Sequence, residues 1–198
     1  MSYIVAINRQ FGSLGRPIAK RMAEELGVEY YDRDIVEATA KKMSMPVSTV
    51  SDEEERAGGK FGSMRFPLGT APSDIQDDIF RAQREIILSL VEKGSCIIVG
   101  RCADYILKDH PDLLRIYVYA PYQARFDNCV NSLLMSPESA RRMIRDVDRA
   151  RNAYYRHYAG YKAGDPEHQD LLINSGTFGA DETAKYLCHV VRERFGVR

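Results

Sequence analysis

Gly12-Ser13-Leu14-Gly15-Arg16 lies between an apolar run and a helical pattern, and its residue types suit the binding of phosphate. A helix N-terminus offers unpaired N–H groups and about half a positive charge. Glycines let the backbone approach the oxygens closely. Set against the phosphate-loop pattern GxxxxGK[ST], Gly15 takes the second glycine. Gln10 stands at the first glycine, Arg16 at the lysine and Pro17 at the hydroxyl residue. The order of strand, turn, cation and helix is nevertheless that of a phosphate cradle. Arg16 brings a planar fork in place of a compact point charge. Pro17 suits a first helical turn but removes the hydroxyl that ordinarily holds Mg²⁺. The metal ligand is therefore unassigned, with Ser13 or a water shell as candidates. The competing reading is a plain strand-to-helix turn.

Two further groups carry charge. Arg101, in Val99-Gly100-Arg101 at a strand end, is placed to grip a phosphate with Asp104 nearby, or else is an ordinary arginine at a helix start. Residues 141–157 hold Arg141, Arg142, Arg145, Arg149, Arg151 and Arg156 against Asp146 and Asp148. Pairs such as Arg145–Asp148 and Asp148–Arg151 at helical spacing read as surface ion pairs worth ~0–1 kcal/mol each. A mobile, arginine-bearing lid explains the excess if charge develops on a transferring phosphoryl group. Tyr154, Tyr155, Tyr158 and Tyr161 are expected to pack the helix end onto the body rather than stack on a base. His110, His157, His168 and His189 are isolated and receive no role. Cys96, Cys102, Cys129 and Cys188 form no CxxC pair and read as reduced thiols, so a zinc site is not expected.

Elements able to position these residues follow from the apolar pattern. Tyr3–Ile7, Cys96–Val99 and Leu114–Tyr119 read as strands buried on both faces, with short strands at Glu29–Tyr31 and Leu171–Ile173. Helices are expected over Ile18–Leu26, from Asp34 with Asp32 as cap, near Pro46, from a Ser73 cap to about Lys93, over 122–131, over 137–158 and over Ala180–Phe195. Residues 57–73, rich in Gly, Pro and Ser, read as a mobile loop. Alternating strands and helices predict an α/β fold with a mostly parallel sheet, whose ligands bind beyond the carboxyl ends of the strands. Arg9, Arg16, Arg33 and Arg101 all collect at those ends, which implies an anionic ligand.

Length and composition fit one domain, with or without an inserted lid. The chain has 198 residues, and 28 basic residues balance 28 acidic ones, so no nucleic-acid partner is expected. No apolar run spans a bilayer and the start lacks signal-peptide features, so the expectation is a cytoplasmic protein without a membrane partner.

Asn8-Arg9-Gln10-Phe11-Gly12-Ser13, Tyr31-Asp32-Arg33-Asp34, Val99-Gly100-Arg101, Ala120-Pro121 with Arg125, Asp148-xx-Arg151-xx-Tyr154-Tyr155 and Asp170-Leu171-x-Ile173-Asn174-Ser175 occur in that order. Together they resemble the cytidylate kinase-like family of P-loop nucleoside monophosphate kinases, from about residue 3 to 195. The resemblance implies a three-layer α/β/α fold with a five-stranded sheet. It also implies one domain over 1–198, with a helical acceptor-binding insert near 33–94 and an arginine-rich lid near 121–165. It implies nucleotide substrates, ATP as donor and Mg²⁺ with it, and leaves a homodimer open. Gly12, Ser13, Leu14, Gly15 and Arg16 would hold the donor phosphates. Asp32, Arg33, Arg101, Asp148 and Arg151 would bind the acceptor, and Arg145 and Arg149 would belong to the lid. Cys102 stands where the family's Gly-Arg-Asp turn has aspartate.

The resemblance implies a phosphotransferase, a CMP/dCMP-like kinase, in which Arg16, Arg145 and Arg149 would neutralise charge on the γ-phosphoryl. An acceptor phosphate is already a nucleophile, so no general base is required. The alternatives are a catalytically degenerate nucleotide-binding protein, a kinase of another small metabolite, and a dinucleotide-binding domain. The last lacks GxGxxG spacing.

Overall fold

The computed structural model describes residues 2–50 and 72–197. Five strands, β1 (Ile4–Arg9), β2 (Glu29–Tyr31), β3 (Cys96–Val99), β4 (Leu113–Tyr119) and β5 (Leu171–Asn174), form one sheet in the order β2-β3-β1-β4-β5. Every pairing is parallel, with Ile4 opposite both Cys96 and Leu113, and Ile116 opposite Leu171. Ile4, Val5, Ala6 and Ile7 are all buried, as a central strand covered on both faces requires.

Helices supply the outer layers. On one face α1 (Gly15–Leu26) and α7 (Ser175–Phe195) bury Ile18, Met22, Leu187 and Val191 against Val5, Ile7, Ile97 and Ile116. On the other, α2 (Arg33–Lys42), α3 (Pro72–Val91) and the short α4 (Ala103–Ile106) bring Ile35, Ile87, Ala103 and others onto Ile4, Ala6 and Ile98. This is the expected three-layer α/β/α arrangement. Residues 47–50 begin another helical segment, and Val50 packs with Val36 and Ile79. The expected loop at 57–73 lies outside the described residues up to 71, and α3 already runs from Pro72.

The region after β4 comprises α5 (Tyr122–Asp127), a π-helical turn (Asn128–Ser132) and α6 (Pro137–Tyr158). Ser136 caps α6, accepting the Ser139 N–H at 3.2 Å, with Pro137 in the first turn as its sequence suggests. The far half of α6 is fixed to the body by its tyrosines. Tyr155 donates to the buried Asp104 carboxylate at 2.6 Å, and Phe80 stacks on Tyr158 at 4.0 Å. The tyrosine run therefore packs, as expected.

Two capping details differ from the sequence reading: Ser73 lies inside α3, which starts at Pro72, rather than capping it, and Asp32 forms no cap. Asp32 occupies the N-cap position of α2 but makes no capping bond, because its carboxylate is drawn to Arg9 and Arg16. The segment Ser175–Phe195 is two helical pieces separated at Gly179 (φ 74°), and the closing helix expected from Ala180 is the piece beyond that break. All four cysteines are buried and free. Among the described residues no helix is long and apolar enough to cross a membrane.

Candidate phosphate-binding cleft

The turn from β1 to α1 can be accounted for carbonyl by carbonyl. The Arg9 carbonyl accepts from Arg151 Nη1 at 3.0 Å, and the Gln10 carbonyl from the Ser13 hydroxyl at 2.9 Å. Phe11 O accepts from Arg125 Nη1 at 3.3 Å, Gly12 O from Asn128 Nδ2 at 2.9 Å, and Ser13 O from the Ser175 hydroxyl at 2.7 Å. The Leu14 carbonyl accepts the Ile18 N–H at 3.1 Å. Thus α5, the π-helical turn, α6 and the start of α7 all hold the loop by its carbonyls.

The amides are treated differently. Phe11 N–H is spent on Asp148 Oδ1 at 2.8 Å. Among the described residues no protein acceptor takes the N–H groups of Gly12, Leu14, Gly15 or Arg16, the last two being first-turn orphans of α1. Such a run of open amides at a helix N-terminus is the physical basis of an anion site. Leu14, with φ 60°, is held in the left-handed region to make the turn.

Beside this loop opens a cleft of ≈ 270 Å³ whose cationic lining is Arg9, Arg16, Arg33, Arg101 and Arg151. Arg9 ends β1, Arg16 opens α1, Arg33 opens α2, Arg101 follows β3 and Arg151 projects from α6. Gly100, Arg101 and Cys102 are successive left-handed residues, φ 78°, 59° and 52°. Strain in non-glycine residues of this kind costs roughly 1–3 kcal/mol each and clusters at functional sites.

Asp32 pairs with two of these cations, and Glu37 faces Arg33 at 3.7 Å. Asp32 lies 2.6 Å from Arg16 Nε and 3.8 Å from Arg9 Nη2, and the Tyr30 hydroxyl reaches it at 3.4 Å. Burial, then the Asp32 charge, pushes the Tyr30 phenol up to about 12. Burial and the charge of Arg151, with further contributions from Arg101 and Arg16, hold the Arg9 guanidinium well below its ordinary range against the pull of Asp32. Arg151 is lowered too, chiefly by burial, although Asp148 opposes the shift. Guanidiniums destabilised by burial and by one another favour an incoming anion.

The residues expected from sequence fall into three places. Gly12, Ser13, Leu14, Gly15 and Arg16 form the loop and helix start; Arg33, Arg101 and Arg151 line the cleft beside it. Asp32 and Asp148 flank the cleft in ion pairs. The Asp148 carboxylate bridges Phe11 N–H and Arg125 Nη1, the latter at 2.5 Å. Arg145 and Arg149 stand apart on the exposed side of α6, and Arg145 pairs with its neighbour Asp146 at 2.8 Å. Arg125, Asn128 and Ser175 are the loop's unpredicted supports; only the fold shows that residues 114 to 162 positions away reach it.

A protein-held Mg²⁺ does not fit this loop. Pro17 has no hydroxyl, and the buried Ser13 hydroxyl is directed at the Gln10 and Val118 carbonyls. Asp32 is engaged by two guanidiniums, and no group of three His, Cys, Asp or Glu among the described residues could hold a metal.

The model of the cytidylate kinase-like family matches residues 4–177. The chain belongs to that family. A cytidylate kinase from Methanopyrus kandleri is 26% identical over 196 residues, covering 94% of this chain and 92% of the relative. An uncharacterized protein from Eubacterium ventriosum has a similar fold, with TM-score 0.71 at 23% identity, covering 96% of this chain and 98% of that one. The shikimate kinase of Acinetobacter baumannii, solved with shikimate, has TM-score 0.57 at 13% identity, with coverage of 98% and 96%. This cytidylate kinase-like chain therefore keeps the common sheet while its loop carries Gln10, Arg16 and Pro17 at three pattern positions.

Proposed function

We propose that the chain transfers the γ-phosphoryl group of Mg·ATP to the phosphate of a nucleoside monophosphate, CMP or dCMP. The observation that carries this reading is the convergence of Arg9, Arg16, Arg33, Arg101 and Arg151 on one cleft beside a loop of open amides. Family membership and the M. kandleri cytidylate kinase support the cytidine acceptor. The amides of Gly12 and Leu14–Arg16 would hold the donor phosphates, and Arg33, Arg101 and Arg151 would orient the acceptor. Magnesium enters with the nucleotide. Arg145 and Arg149 would meet the γ-phosphoryl only through a movement of α6.

The lining also bears on the acceptor. Among the described residues it includes no Asp, Glu or His, and the carboxylates that flank it, Asp32 and Asp148, are held in ion pairs with Arg16 and Arg125. A hydroxyl acceptor needs a base within reach, whereas a phosphate brings its own nucleophilic oxygen. Catalysis then rests on alignment and charge neutralisation. The test is ADP formation from ATP over a panel of CMP, dCMP, UMP, AMP, GMP and shikimate. Cytidine monophosphates are expected to be fastest. Turnover with shikimate alone would replace the acceptor class.

A second reading, a nucleotide-binding protein without transfer, is favoured by one feature. Arg16 at the lysine position is tied to Asp32, and Pro17 lacks the hydroxyl. ATP binding without ADP formation for any acceptor would select it.

A further inference from the structure

Arg9 occupies an unusual place. It is the last residue of the central strand β1, and its main-chain carbonyl is held by Arg151. Its side chain crosses from the donor loop to the turn after β3. A Cβ added to Gly15 would lie 2.7 Å from Arg9 Cβ, and one added to Gly100 would lie 2.2 Å from Arg9 Nη1. Each glycine therefore leaves the room that this one side chain fills. The stem of the side chain lies against Gly15 of the loop and its guanidinium end against Gly100 of the turn, so Arg9 links the two.

The side chain is nine-tenths buried, with 10% exposure, yet it lines the cleft. Its nearest carboxylate is Asp32 at 3.8 Å, too far for a hydrogen bond. Among the described residues the guanidinium donates no hydrogen bond. A buried guanidinium with unspent donors is costly unless an anion meets it. Arg16 is the opposite case: its side chain is 58% exposed and its guanidinium is already satisfied by Asp32 at 2.6 Å.

We propose that Arg9 is the cation that binds the phosphoryl group lying between the donor loop and the acceptor turn. This is the task that the phosphate-loop pattern assigns to the residue at position 16, and the proposal rests on the phosphotransferase reading. Arg16, tethered to Asp32, then guards the outer edge of the site. The planar fork of Arg9 spans two phosphoryl oxygens in a way that a lysine ammonium does not. Burial keeps water from competing for it.

The experiment uses the full chain and inorganic triphosphate as probe. Calorimetric affinity would be compared for the native protein, Arg9→Met, Arg9→Lys and Arg16→Met, with circular dichroism to check folding. Arg9→Met is expected to weaken triphosphate by at least about tenfold, and Arg16→Met by less. With the best monophosphate acceptor, Arg9→Met should lower kcat by about 100-fold or more, and Arg9→Lys should recover part of it. Native affinity in Arg9→Met, a larger loss in Arg16→Met, or no triphosphate binding by the native protein would overturn the proposal. If Arg9→Met does not fold, Arg9→Lys decides, and native affinity with native kcat there rejects the guanidinium's role. Arg9-dependent triphosphate binding without ADP formation for any acceptor would sink the transfer reading alone.

Discussion

Gly15 separates two explanations of the same residue. Its backbone is helical, so alanine there should gain roughly 1 kcal/mol of helix propensity. A Cβ would nevertheless lie 2.7 Å from Arg9 Cβ and 2.9 Å from Arg9 Cγ, and these near-backbone atoms cannot swing aside. Gly15→Ala is therefore expected to destabilise the protein by about 1–3 kcal/mol, as overpacked sites do. It should also weaken triphosphate severalfold by displacing the Arg9 guanidinium. Thermal melting and calorimetry read the two effects, and native values in both would refute the steric account. The sequence marks Gly15 as a cradle residue through its position in the phosphate-loop pattern. That the glycine also makes room for a side chain six residues earlier is not visible in a linear pattern. It depends on how the turn from β1 to α1 folds back, while the parallel pairing of β1 with β3 brings Gly100 alongside the other end of Arg9. Arg9 was legible as one of four strand-end arginines, but its burial and unspent donors belong to the folded chain.

Among elements, β5 shows how a short edge strand is retained. Among the described residues it pairs only with β4, and Asp170 immediately before it grips Arg115. The carboxylate accepts Arg115 N–H at 2.8 Å, Nε at 3.1 Å and Nη2 at 2.7 Å, while Asp170 N–H returns a bond to Arg115 O at 2.9 Å. Burial alone would raise the pKa of Asp170, but the Arg115 bonds together outweigh it and hold the carboxyl below its ordinary range. A carboxylate lowered in this way stabilises the fold above its unfolded pKa of about 3.9, and the contribution is lost as pH falls through the folded value. Asp170→Asn should cost about 1–2 kcal/mol at pH 7 and flatten the acid limb of stability below about pH 4. Urea unfolding from pH 7 to pH 2 checks this; identical acid limbs in the two proteins would remove the clamp. Strands β1, β3 and β4 were legible because burial on both faces makes a nearly continuous apolar run. The role of Asp32 was misread for a physical reason. Position alone qualifies it as a cap, whereas two guanidiniums from β1 and α1 compete more strongly for its carboxylate. The helix from Ala180 is legible because its pattern is unbroken beyond Gly179, whereas the short helical piece from Ser175 before that break carries no such pattern.

For the whole molecule, zero formal net charge conceals an uneven distribution. Five arginines face one cleft, and Asp32 pairs with two of them. Folding assembles this repulsion from strand ends that are far apart in the unfolded chain, so an anion that fills the cleft binds the folded state and not the unfolded one. Such a ligand stabilises by RT ln(1 + [L]/Kd), about 2.7 kcal/mol at 100 times Kd. For a domain of this size that corresponds to a rise in Tm of about 5–10 °C. Triphosphate at saturating concentration should produce a rise of this order. Sodium chloride at matched ionic strength should produce less, because screening weakens the repulsion without supplying hydrogen-bond acceptors for the guanidinium donors and loop amides. The two salts can be separated further with Arg101→Met, which removes one wall of the cleft and should reduce the triphosphate shift while leaving the chloride shift nearly unchanged. Equal shifts from the two salts in the native protein would mean that the arginines respond only to screening and that the cleft holds no oligophosphate.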